Sequence, residues 1–222
     1  MSELFNAYDN YLIGKERILG TYHFIGEAPG GMNEKIALSC IKYALEYILE
    51  WSHDMAIKKF DAYMIQKLKL NRLLEYIDFP LDVEYGDPEY ILSLLYPKNI
   101  HLSQTYLVEK MFRSTLKKNT QFPREYFSGD IGMRRYCICL RYLIRNYHVF
   151  YSVEEIYSFF CSTEGNKFLA SFRLKSPASQ LGIDVLRAVY ESTSDEPDSE
   201  LYYCFYSFRS QATIKKAELS SV

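Results

Sequence analysis

Arg134, Arg141 and Arg145 share one helical segment and fall within about 40° of one another at about 100° per residue. A line of guanidinium groups suits phosphates or carboxylates, because each planar fork can pair bidentately with an oxyanion. The surrounding stretch, 106–150, carries nine basic residues, Lys117 and Lys118 among them. Only Glu109, Glu125 and Asp130 oppose them, which leaves it at +6. A solvated helix face paired with the protein's own acids would look the same, and Asp78, Asp82, Glu84, Asp87, Glu89, Glu191, Asp195, Glu196, Asp198 and Glu200 are available for that. At this level the two readings stand side by side.

A second recognition surface is conceivable near the C-terminus. Tyr202, Phe205 and Phe208 follow an i, i+3, i+6 spacing, which serves either core packing or a partner interface. Residues 153–174 could also form a helix-turn-helix with Gly165 in its turn. The loop 26–31, Gly-Glu-Ala-Pro-Gly-Gly, precedes a helix start and reads as a flexible or capping loop.

No catalytic residues are assigned. The chain has neither a Gly-x-Ser-x-Gly elbow nor a phosphate-binding P-loop. Cys137 and Cys139 are two apart, about 200° around a helix, and cannot grip one ion from it. His23, His53, His101 and His148 are scattered, so no metal site and no cofactor is expected. Five cysteines, Cys40, Cys137, Cys139, Cys161 and Cys204, lie in apolar contexts, the usage of reduced buried thiols. With no signal-peptide pattern at residues 1–6 and no apolar run of about 20 residues, a cytoplasmic protein that does not enter membranes is expected.

The elements that would position these residues are helices almost throughout. Gly and Pro number 10 and 7 in 222 residues, against 21 Tyr and 14 Phe, which disfavours a turn-rich β fold. Helices are expected at 3–18, 34–51 with Asn33 as its cap, 54–68, 71–77, 88–96, 103–118, 131–147, 153–161, 163–173, 177–192 and 200–219. On 34–51 the polar residues Lys35, Ser39, Lys42, Glu46 and Glu50 form one narrow stripe, and nearly all the others are apolar. Such a helix is surrounded by protein. The expected fold is therefore all-α, a single multi-helix domain built around that central helix. Residues 1–32 would contribute an N-terminal helix and loop, and 33–222 the helical domain with its aromatic C-terminal helix.

Several landmarks resemble a family of bacterial proteins. They are 37–46, Tyr63-Met64-Ile65-Gln66-Lys67-Leu68-Lys69-Leu70, Ile77-Asp78-Phe79-Pro80, and Tyr90-Ile91-Leu92-Ser93-Leu94-Leu95-Tyr96-Pro97. Cys139-Leu140-Arg141-Tyr142-Leu143-Ile144, Glu155-Ile156-Tyr157-Ser158-Phe159-Phe160 and the closing 201–209 continue the pattern. The chain resembles, over about residues 33–209, a Bacillota domain family of unknown function, which implies a bacterial, cytosolic protein but assigns no activity. With net charge −2, the whole molecule does not attract polyanions. The function expected is a non-catalytic binding or regulatory protein acting through a protein partner or self-association. The alternatives are a nucleic-acid-binding regulator using 106–150, and an enzyme whose site is assembled from distant residues.

Overall fold

The computed structural model describes residues 2–24, 28–147 and 152–180, together with Val185 and Ala188. Among these every regular element is helical and none is a strand, so the all-α expectation holds. The chain divides into two compact units, Met1–Leu107 and Val108–Val222. The expected helix at 200–219, with Tyr202, Phe205 and Phe208, lies outside the described residues.

In the first unit, α1 (Ser2–Leu12) buries Leu4, Ala7 and Tyr8, the i, i+3, i+4 face of an amphipathic helix. It ends earlier than the expected residue 18. Lys69 Nζ donates to the carbonyls of Tyr11 and Leu12 at 3.0 and 3.1 Å, satisfying acceptors that a helix end leaves open. The central helix is α2 (Gly31–Tyr43), continued by a π-helical segment, Ala44–Ile48. Its Ala37, Cys40, Ile41, Ala44 and Leu45 are fully buried, as the narrow polar stripe implies. The cap differs from expectation. Gly30, at φ 86°, is the N-cap, a backbone region glycine enters without steric cost. Asn33 is buried instead, its Nδ2 donating to Ala28 O at 2.9 Å.

Residues 54–68 form two helices, α3 (His53–Lys59) and α4 (Ala62–Lys67). The break is Phe60, extended at ψ 112°, followed by Asp61, whose carboxylate accepts from Met64 N and starts α4. A short α5 (Asn71–Leu74) precedes α6 (Pro88–Leu95), which Asp87 caps with Pro88 at its first turn, as expected.

The long α7 (Gln104–Lys118) carries Val108, Met111, Phe112 and Thr115 into the core of the second unit. There α8 (Gly129–Asn146) supplies Tyr136, Cys139, Leu140 and Leu143. Phe112 and Tyr142 meet edge to face across the two helices, 5.9 Å between centroids. A loop of packed aromatics, with Phe122 stacked on Tyr126 and Phe127 edge-on to both, covers the start of α8. It can do so because residue 132 is glycine, since a Cβ there would stand 1.9 Å from the Phe127 carbonyl carbon. Next come α9 (Val153–Cys161), α10 (Thr163–Ser171) and α11 (Lys175–Gln180). Ser152 caps α9 through its hydroxyl, as the spacing to Glu155 predicts.

Candidate functional site

The second unit is where the sequence concentrates positive charge. Residues 1–107 contain ten basic and fifteen acidic side chains, a net −5. Residues 108–180 contain twelve and six, a net +6, and residues 181–222 contain four and seven, a net −3. The boundary between compact units thus coincides with a reversal of sign.

The arginine line sits on α8, and its members differ. Arg134 is exposed and makes no hydrogen bond or ion pair among the described residues. Arg141 is half-buried and Arg145 exposed, and both already engage other groups. On α7, Lys117 and Lys118 occupy the last turn, where cations are favoured by the helix dipole. Both are exposed, and Lys118 has an intramolecular interaction while Lys117 has none among the described residues. One turn earlier Arg113 lies near Tyr142 of α8. Burial, aided by the Tyr147 hydroxyl, raises the Tyr142 phenol, and the Arg113 charge partly opposes that shift. Of the acids that could neutralise the line, Asp87 and Glu89 hold bonds within the first unit, and Glu191, Asp195, Glu196, Asp198 and Glu200 lie outside the described residues. Asp87 accepts from Glu89 N and Tyr90 N, and Glu89 accepts the Tyr106 hydroxyl at 2.8 Å.

Arg135, one residue along, does different work. It is 8% exposed, donates to Tyr126 O at 2.9 Å and lies 4.7 Å over the Tyr126 ring. It fastens the aromatic loop to α8 and is no part of a recognition surface. Wheel position separates 134 from 135 by about 100°, but only the loop's arrival decides which arginine is covered.

The helix-turn-helix expectation at 153–174 is corrected. Ser162 alone joins α9 to α10, serving as C-cap of the first and N-cap of the second. Such motifs use a turn of about three to four residues. Gly165 lies inside the first turn of α10, where a Cβ would stand 2.2 Å from Phe159 O, so its smallness permits the tight packing of these helices. Of the cysteines, Cys40, Cys137 and Cys139 are buried as expected, whereas Cys161 is exposed at the end of α9. None of these four forms a disulfide, and Cys204 lies outside the described residues.

Two groupings carry no recognisable sequence signal. In the first unit the Glu46 carboxylate, on the π-helical segment, accepts the Tyr96 hydroxyl at 3.2 Å, with His53 Nε2 at 3.4 Å and Lys42 Nζ at 3.8 Å. Burial first, then Glu46, pushes the Tyr96 phenol up to about 12. Segments of π-helix often mark functional positions, and this one turns a carboxylate toward residues 7 and 50 positions away. In the second unit Arg173, with φ 63°, donates to Thr120 O and Asn119 Oδ1 and thereby ties the chain after α10 to the end of α7. Among the described residues no group of three or more His, Cys, Asp or Glu is arranged to hold a metal ion, and no helix is long and apolar enough to cross a membrane.

With this geometry in place, known proteins can be set beside the chain. A family model described as a protein of unknown function, DUF4046, matches residues 108–196. The match begins where the second compact unit begins. It includes α8 to α11 and lies within the 33–209 span of the resemblance read from the sequence. No curated protein and no solved structure matches the chain.

Proposed function

We propose that this chain is a non-catalytic, cytoplasmic binding protein of bacterial type. Its basic 108–180 surface holds an acidic protein face, either on a partner or on a second copy of the chain. The observation that carries this reading is the reversal of net charge at the boundary of the second unit, with Arg134 and Lys117 exposed there and uncommitted among the described residues. Exposed charges of one sign steer association and favour partners of the other sign. The first unit's own −5 makes a second copy a chemically suitable partner. Buried cysteines without disulfides support a reducing compartment.

Light scattering and poly-L-glutamate binding, each at low salt and at about 0.5 M salt, test the proposal together. Self-association or polyglutamate binding should appear at low salt, weaken at high salt, and fall in the double variant Arg134→Glu, Lys117→Glu. A monomer indifferent to polyglutamate in both conditions would overturn it.

The exposure of Arg134 also favours a second reading, a nucleic-acid-binding regulator. Titration of a short DNA duplex decides between the two. Tight binding whose logarithm falls linearly with that of the salt concentration would move the assignment to nucleic acid.

A further inference from the structure

The second unit contains an open cavity of about 740 Å³ lined by Gln121, Phe122, Ala170, Arg173, Lys175, Ser176, Pro177 and Ser179. Its size lies within the range of about 300–1,000 Å³ usual for small-molecule sites. The described lining has two cations and no carboxylate.

Its parts are held in place. Arg173 uses one N–H of each terminal nitrogen on Thr120 O and Asn119 Oδ1. A guanidinium has five N–H donors, so three have no partner among the described residues, on a group whose position is already set. Lys175 adds a second positive charge, and the Ser176 and Ser179 hydroxyls and the Gln121 amide add neutral donors. The opposite character comes from Phe122, half-buried and stacked on Phe112 and Tyr126 at 6.0 and 5.2 Å, beside Pro177 and Ala170. A ring held by its neighbours and an anchored guanidinium give one cavity an apolar border and an oxyanion clamp.

We propose that this cavity is a binding site for a small organic oxyanion, one with a phosphate or carboxylate head on a flat apolar body. The cavity adjoins the end of α7, but the proposal does not rest on the protein-binding reading of the α7 and α8 surface.

Calorimetric titration of the full chain with 1-naphthyl phosphate, 1-naphthoate, 1-naphthol and inorganic phosphate tests both halves of the site. At least one of the two naphthyl anions should bind, and the tighter one names the head group. Naphthol and inorganic phosphate should each bind at least about tenfold more weakly, near 1.4 kcal/mol. Arg173→Gln removes the clamp but also the tie to α7, so Lys175→Ala and Ser179→Ala, at exposed positions, serve as the second set. Each should weaken the naphthyl anion about three- to tenfold without moving the melting temperature. Failure of both naphthyl anions to bind, equal binding of naphthol or phosphate, or unaltered affinity in the Lys175→Ala, Ser179→Ala double variant would each overturn the proposal.

Discussion

The Tyr96 hydroxyl donates to Glu46 Oε1 at 3.2 Å, joining the residue that ends α6 to a π-helical turn fifty positions earlier. Because burial and this carboxylate raise the Tyr96 phenol to about 12, its protonated form is favoured by folding. The associated stability is complete below the ordinary phenol value of about 10 and is lost as pH rises from there toward 12. Denaturant melts between pH 8 and 12 should show that decline. Tyr96→Phe should cost about 1–2 kcal/mol at neutral pH and make the alkaline decline shallower.

Two buried tyrosines should respond to the same substitution with opposite signs. The Tyr8 hydroxyl donates to Leu68 O at 2.6 Å, whereas that of Tyr136 is fully buried with no hydrogen-bond partner among the described residues. Tyr8→Phe leaves a carbonyl unsatisfied and should destabilise by about 1 kcal/mol. Tyr136→Phe removes a desolvated hydroxyl and should be neutral or stabilise by up to about 1 kcal/mol. Urea midpoints of the two variants check this, and a loss at Tyr136 equal to that at Tyr8 would contradict it.

Adjacent arginines should behave as differently as their surroundings. Arg135→Ala removes the bond to Tyr126 O and the stacking on its ring, for an expected loss of about 2–3 kcal/mol. Arg134→Ala, at an exposed position, should stay within about 0.5 kcal/mol of the parent. Thermal melts with mass analysis of the folded species measure both.

Thiol reactivity should divide along exposure. Burial, with a smaller contribution from Asp9, pushes the Cys40 thiol up to about 12, so almost no thiolate exists near neutral pH. Cys161 is exposed. Maleimide labelling of the native protein at about pH 7.5, read by peptide mass spectrometry, should modify Cys161 first among the four described cysteines and spare Cys40 until the protein is denatured.

Much of the helical architecture could be read directly from local chemistry. Asp87-Pro88, Ser103 and Ser152 mark helix starts because a cap acts on amides two or three residues away. The polar stripe Lys35, Ser39, Lys42, Glu46, Glu50 locates the central helix because burial follows the helical period. The basic character of the later stretch is equally plain, being a matter of counting.

Other features depend on what arrives from elsewhere in the chain. The π turn at Ala44–Ile48 and the meeting of Glu46 with Tyr96 leave no mark in the spacing of residues 34–51. Arg134 and Arg135 are the same residue type, and only the position of the Tyr126 loop makes one a surface charge and the other a structural staple. Gly132 and Gly165 fall inside the helices expected at 131–147 and 163–173, and nothing in their spacing shows that each is a close approach of backbone to helix. Caps and amphipathic periods are settled within about one or two helical turns, so sequence alone determined the helices and their charge. Which side chains are covered, clamped or left to solvent depends on segments tens of residues apart, and that only the tertiary structure decided.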